Sequence, residues 1–255
     1  LARGGFSSDE IGARVEALLK VASDIKATKE DKNKALEDIG RMGRDAVPYL
    51  ISRLNTIHVL EILALKEAFK KIGVQAVPGL INALESDDPD TRCRAASFLG
   101  DIPDERAIDP LIKCLKSYGS FGEEDWRLRS AAASSLGEIG GFRPVGVLIE
   151  ATNDPEEAVR RNAASSLGKI ASPAGIEALT RLLSDPLYSV RFPAADALVK
   201  IGKPSVPHLI KVLKESEEVE KALVIETLGR IGDESAVDAI LPFLNSPDWV
   251  IRGAA

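Results

Sequence analysis

Seven apolar residues recur along this chain at a spacing characteristic of stacked, repeated units. Leu36, Phe69, Leu99, Leu136, Leu167, Leu198 and Leu228 follow one another at 33, 30, 37, 31, 31 and 30 residues. Each opens an apolar-x-x-Ile frame usually closed by glycine: LEDIG at 36–40, FKKIG at 69–73, LGEIG at 136–140, LVKIG at 198–202 and LGRIG at 228–232. Two copies change the closing residue, LGDIP at 99–103 and LGKIA at 167–171. A second column (Leu54, Leu84, Leu115, Thr152, Leu183, Leu213, Leu244) ends the other half of each unit. A period near 31 residues marks supersecondary units that bury their apolar faces only against their neighbours.

Residues 153–183 show how one unit reads. Asp154-Pro155 offers a capping carboxylate and a proline at the first helical position, where the missing N–H costs nothing. Val159, Ala163, Leu167 and Ile170 recur at three and four residues and make one apolar stripe. Ala171-Ser172-Pro173 stops that helix, and Ile176, Leu179, Leu182 and Leu183 form the stripe of a second. The start returns as Asp88-Pro89, Asp185-Pro186 and Ser246-Pro247; the stop returns as Gly40, Gly73, Gly140, Gly202 and Gly232. Short turns make each pair an antiparallel hairpin. The expected fold is all-α, an α-solenoid or superhelix built as a single array over 1–255. Its repeats fall at 24–54, 55–84, 85–115, 116–152, 153–183, 184–213 and 214–244. A half repeat at 9–23 precedes them and a partial one at 245–255 follows, so the array is expected to continue or to have been cut.

In most units a basic residue lies seven before the anchor: Lys29, Arg92, Arg129, Arg160, Arg191 and Lys221, with Arg252 in phase and Ile62 the exception. Stretches such as DPEEAVRRNAASSLGKI at 154–170 and DPLYSVRFPAADALVKI at 185–201 resemble HEAT repeats, most closely the short HEAT-like variety of phycobilisome lyases. The resemblance covers essentially the whole chain and implies a binding scaffold. Recurrence of the basic column at one phase points to a ladder that fixes stacking, not to ligand recognition. Pro193, inside a helix, is expected to kink it.

In an array of this kind the second helices line the concave face. Their outward positions give a locally basic ridge at Lys113, Lys116, Arg181, Lys211 and Lys214, with His208 the polar candidate in a neighbouring column of mostly small residues. The 37-residue unit carries an insertion, KSYGSFGEEDW at 116–126, that gathers Tyr118, Phe121 and Trp126. Insertions in repeat arrays map to loops on one face and often contact ligands. These nine residues are the expected partner-binding set.

The net charge of −6 argues against general affinity for nucleic acid or anionic membrane. Cys93 and Cys114 form no pattern, which favours a reducing, cytoplasmic setting. No zinc, di-iron, phosphate-loop or nucleophile-elbow motif occurs, and His58 and His208 share none. The expectation is therefore a non-catalytic scaffold, not an enzyme. It binds another protein through the concave face and the 116–126 loop, without cofactor, metal, nucleic acid or membrane. The alternative implied by the resemblance is a bilin lyase-like protein that handles the chromophore of a phycobiliprotein, with Tyr49, His208, Tyr118 and Trp126 as lining.

Overall fold

The computed structural model of the chain describes residues 7–117, 125–215 and 218–255. Among them every regular element is helical. The chain divides into two compact units, Leu1–Ser135 and Leu136–Ala255. The first holds α1 (Ser8–Ser23), α2 (Lys29–Met42), α3 (Val47–Ile51), α4 (Val59–Ile72), α5 (Val77–Ala83), α6 (Pro89–Gly100) and α7 (Ile108–Leu115). Helix α8 (Asp125–Ile139) begins in the first unit and ends in the second. The second unit continues with α9 (Val145–Ala151), α10 (Glu157–Ile170), α11 (Ile176–Leu182), α12 (Tyr188–Ile201), α13 (Val206–Glu215), α14 (Glu218–Ile231), α15 (Val237–Ile240) and α16 (Trp249–Ala254).

Long first helices alternate with short second helices, several of which are entered through one 3-10 turn, as at Gly73–Gln75 and Lys203–Ser205. Both repeating columns are the core. Phe69, Leu99, Leu136, Leu167 and Leu198 are fully buried, as are Leu54 and Leu183 of the second column. Each such side chain contributes about 2 kcal/mol of hydrophobic stabilisation. Only Leu244 leaves the pattern, at 49% exposure. The fold class is thus an all-α solenoid of HEAT-like hairpins.

Helix starts follow two rules where the sequence suggests one. Asp88 caps α6 directly, its Oδ2 accepting from the Thr91 N–H at 2.6 Å with Pro89 in the first turn. Asp154 and Asp185 instead sit ahead of their helices and accept from the N–H groups of Glu156 (2.9 Å) and Leu187 (3.0 Å). Asp185 is buried because it also receives an arginine from the preceding repeat.

Helix stops match the glycine rule at Gly73, Gly202 and Gly232, all at positive φ. Gly40 is not a stop. Helix α2 runs on to Met42, and the positive-φ residue is Gly43. Gly40 serves packing: a Cβ there would meet Lys71 Cβ at 3.0 Å and its carbonyl oxygen at 3.2 Å. At the end of α10 the left-handed position falls to Ala171, φ 53° and ψ 36°. A Cβ in that region costs about 1 kcal/mol. Ala171→Gly is therefore expected to raise stability by about 1 kcal/mol, read as a higher urea midpoint. Helix α12 runs through Pro193 without interruption.

The basic column binds backbone. In four repeats one terminal nitrogen of the arginine donates to two carbonyls of its own turn. Arg92 reaches Ser86 (2.6 Å) and Asp87 (2.9 Å), and Arg160 reaches Asp154 (2.8 Å) and Pro155 (2.9 Å). Arg191 reaches Asp185 (2.9 Å) and Pro186, and Arg252 reaches Ser246 (2.7 Å) and Pro247 (2.8 Å). Arg160 adds a two-pronged ion pair to Asp185 of the next repeat, at 2.7 and 3.2 Å. The column locks turns, and at Arg160 it also joins a neighbouring repeat.

Candidate functional site

The sequence-predicted residues fall into separate groups. Lys113, Lys116 and Trp126 belong to the first unit; Arg181, His208, Lys211 and Lys214 belong to the second. Tyr118 and Phe121 lie outside the described residues, and Trp126 is 36% exposed near the start of α8. Lys113 is paired with Glu85 at 2.7 Å, and Arg181 stands 3.6 Å from Glu177, all four side chains being open to water. Such pairs contribute little to stability, and they dilute the positive charge that the lysines and arginine suggest. His208, Lys211 and Lys214 are exposed on α13.

The first unit has a groove of about 730 Å³ that the sequence reading does not single out. Val15 and Leu19 of α1 form part of its lining, and Tyr49 of α3 lies half-buried beside them. The Tyr49 hydroxyl donates to the Ser8 carbonyl. Gly12 lets the ring lie against α1, since a Cβ there would stand 2.6 Å from Tyr49 Cε1. Charged groups rim the groove: Asp9, Glu16, Lys20, Arg53 and Glu61.

Arg53 and Glu61 are the built part of this rim. The Arg53 Nε–H donates to Glu61 Oε1 at 2.8 Å, and the Thr56 hydroxyl donates to Glu61 Oε2 at 2.6 Å. Burial raises the Glu61 carboxyl, yet the two hydrogen bonds and the Arg53 charge outweigh it and hold it below the usual glutamate value. The hydrogen bond to Glu61 and its charge push Arg53 further up, so the pair is fully ionised at neutral pH. The stretch TIHVLE at 56–61, which follows Arg53 and ends on Glu61, lacks the Asp-Pro start, and Ile62 replaces the column arginine. That break in the motif is the signal that could have found the pair. Ile57, Val59, Leu60 and Leu63 are exposed around it.

The second unit has a groove of about 480 Å³ between α12, α14 and α16, lined by Tyr188, Arg191, Leu223, Glu226 and Val250 among others. The Arg191 guanidinium lies 5.7 Å from the Tyr188 ring centre, and Tyr188 and Phe192 stack tilted at 6.1 Å. Their i, i+4 spacing, readable in the sequence, sets both exposed rings on one face of α12.

Other chemistry is sparse among the described residues. Burial pushes the Cys114 thiol up to about 12, which keeps it protonated and poorly nucleophilic at neutral pH. No group of three His, Cys, Asp or Glu side chains suited to a metal occurs among the described residues. No described helix is long and apolar enough to cross a membrane.

Comparison with known proteins supplies the context. A family model for HEAT repeats matches residues 57–121, 77–151, 145–222 and 206–255. Over 179 residues the chain is 33% identical to phycocyanobilin lyase subunit alpha of Picosynechococcus sp., covering 69% of this chain and 60% of that protein. The chain therefore spans less than two thirds of that curated relative. Importin beta superposes with a TM-score of 0.62 at 11% identity, over 96% of this chain and 41% of that one. The complex of CpcE and CpcF of phycocyanin lyase from Nostoc sp. PCC7120 gives a TM-score of 0.44 at 20% identity, over 100% and 98%. The importin likeness concerns fold alone. The relative from Picosynechococcus corrects the expectation of a chain that is no enzyme, because that relative is a subunit of a lyase. With matches running from residue 57 to the end, the chain belongs to the HEAT-repeat family.

Proposed function

We propose that the chain is a bilin lyase-like subunit: it handles a linear tetrapyrrole for attachment to, or removal from, a phycobiliprotein. The observation that carries this reading is the 33% identity to phycocyanobilin lyase subunit alpha over 179 residues. A tetrapyrrole chain is a long conjugated molecule with ring N–H donors and two propionate carboxylates. It asks for a groove with aromatic or apolar walls, a cation for the carboxylates and an acceptor for the N–H groups. The groove of the first unit supplies these classes in Tyr49, Arg53, Lys20 and Glu16.

The protein partner in this reading is the phycobiliprotein that gives or receives the chromophore. The exposed polar ridges (Lys113 and Lys116 in one unit; Arg181, His208, Lys211 and Lys214 in the other) and the 116–126 segment with Tyr118, Phe121 and Trp126 are assigned to contact it. Charged rims of this type set association rate and register more than affinity. The experiment that tests the function is bilin transfer, measured as covalent chromophore on a phycobiliprotein subunit with and without the chain.

A further inference from the structure

In four repeats one terminal nitrogen of the column arginine is spent on two backbone carbonyls of its own turn. The second repeat inverts this arrangement. Ile62 stands in the column, and a carboxylate one residue earlier, Glu61, is buried to 8% exposure. Glu61 turns back to the preceding hairpin and takes the Nε–H of Arg53, while Thr56 fills its other oxygen. Both carboxylate oxygens are therefore engaged, and Arg53 is held by one edge of its guanidinium.

The other edge is left for the groove. Arg53 lines it with its side chain 52% exposed, and Glu61 is its ion-pair partner among the described residues. A guanidinium has five N–H donors in a fixed plane, and one of them satisfies Glu61. The terminal nitrogens keep a fork whose spacing matches a carboxylate. Because Glu61 and Thr56 fix the plane in advance, a ligand carboxylate does not have to order a free side chain on arrival. The Tyr49 ring, held by Ser8 and resting against Gly12, gives a flat surface in the same groove. Glu16 stands on the rim as an acceptor.

We propose that the groove of the first unit is the tetrapyrrole site. Arg53 grips a propionate carboxylate, and Glu61 acts as a positioning residue that presents Arg53. The assignment rests on the tetrapyrrole reading above. It concerns reversible binding, with no bond made or broken at this site.

The test titrates the chain with phycocyanobilin and with its dimethyl ester, following the visible band of the pigment. The ester keeps the conjugated system and removes the carboxylate charge. Wild type is expected to bind the acid about tenfold or more tighter than the ester, the range for a hydrogen bond to a charged group. Arg53→Gln is expected to lose about tenfold of that preference by weakening acid binding, with its affinity for the ester close to that of wild type. Unchanged circular dichroism and melting temperature would show that the variant folds. A purely structural Arg53 would weaken acid and ester equally, which overturns the proposal. So does a wild-type chain that prefers neither, a comparison needing no variant. If wild type binds neither pigment, the tetrapyrrole reading falls with it. If wild type binds tightly but Arg53→Gln keeps the full preference for the acid, only the site assignment falls.

Discussion

Replacing Arg160 by alanine is expected to destabilise the second unit by about 3 kcal/mol, the low end for removing one partner of a buried ion pair. Its side chain is 15% exposed and that of Asp185 only 4%, so water reaches neither easily. The guanidinium satisfies Asp154 and Pro155 carbonyls on one side and both oxygens of Asp185 on the other. Alanine leaves the Asp185 charge without its cation and frees the turn that the two carbonyls define. Urea unfolding of wild type and variant measures the loss.

The same pair gives this loss a pH dependence. Burial raises the Asp185 carboxyl, but hydrogen bonds from Arg160 and from the Leu187 N–H, with the charges of Arg160 and Arg191, bring it below the ordinary aspartate value. A carboxyl lowered in the folded state stabilises at pH above its unfolded value and loses that contribution as pH falls through the folded one. The gap between wild type and Arg160→Ala should therefore be constant from neutrality to about pH 5 and shrink below about pH 4. A gap that persists unchanged in acid would mean that packing of the arginine stem, not its charge, is what the alanine removes.

Gly168→Val is expected to cost about 3 kcal/mol, the upper range for overpacking a tight contact. Helix α10 meets α12 here so closely that a Cβ on Gly168 would lie 2.7 Å from Ala197 Cβ and 2.8 Å from its Cα. Backbone cannot yield as a side-chain tip does, so the two helices must part. Gly168→Ala is expected to lose less, about 1 kcal/mol, because helix propensity offsets part of the clash. Gly229 occupies the equivalent place in its own frame but has nothing within 4 Å. Gly229→Ala should then raise stability by about 0.5–1 kcal/mol through propensity alone. Thermal unfolding of the three variants checks the set, and equal behaviour at 168 and 229 would contradict it.

These residues also show what could be read from the chain and what could not. The buried columns through Phe69 and Leu198 were legible because burial at helical spacing is a property of composition and phase. A structural role for Arg92, Arg160 and Arg191 was legible from recurrence, but as a ladder between units; Arg160 does reach its neighbour, while the carbonyls that all three hold belong to their own turns. Gly168 shows a limit: its meaning depends on Ala197, 29 residues away, and on a helix crossing that no local pattern encodes. The shift of the stop from Gly40 to Gly43 has the same origin, because Lys71 of the next repeat claims Gly40 for packing. Arg53 and Glu61 were hidden for another reason. Each looks ordinary alone, and only the absence of the column arginine at Ile62 marks them as a pair.

Function was the least legible. Periodicity reports how faces are buried and is silent on what binds the remaining surface. That is why a chain without a catalytic motif was expected to be no enzyme, and why a lyase subunit among its relatives corrects the expectation. Of the two aromatics expected at the insertion before Trp126, neither Tyr118 nor Phe121 lies within the described residues.

The most direct test of the account is bilin transfer. The chain is incubated with phycocyanobilin and an apo-phycobiliprotein subunit, and separately with the chromophore-bearing subunit. Covalent bilin is then read by zinc-enhanced fluorescence after denaturing electrophoresis. The account predicts that the chain changes the rate at which covalent bilin appears on, or leaves, the phycobiliprotein, relative to the same mixture without it. Identical covalent bilin with and without the chain, in both directions, would contradict it.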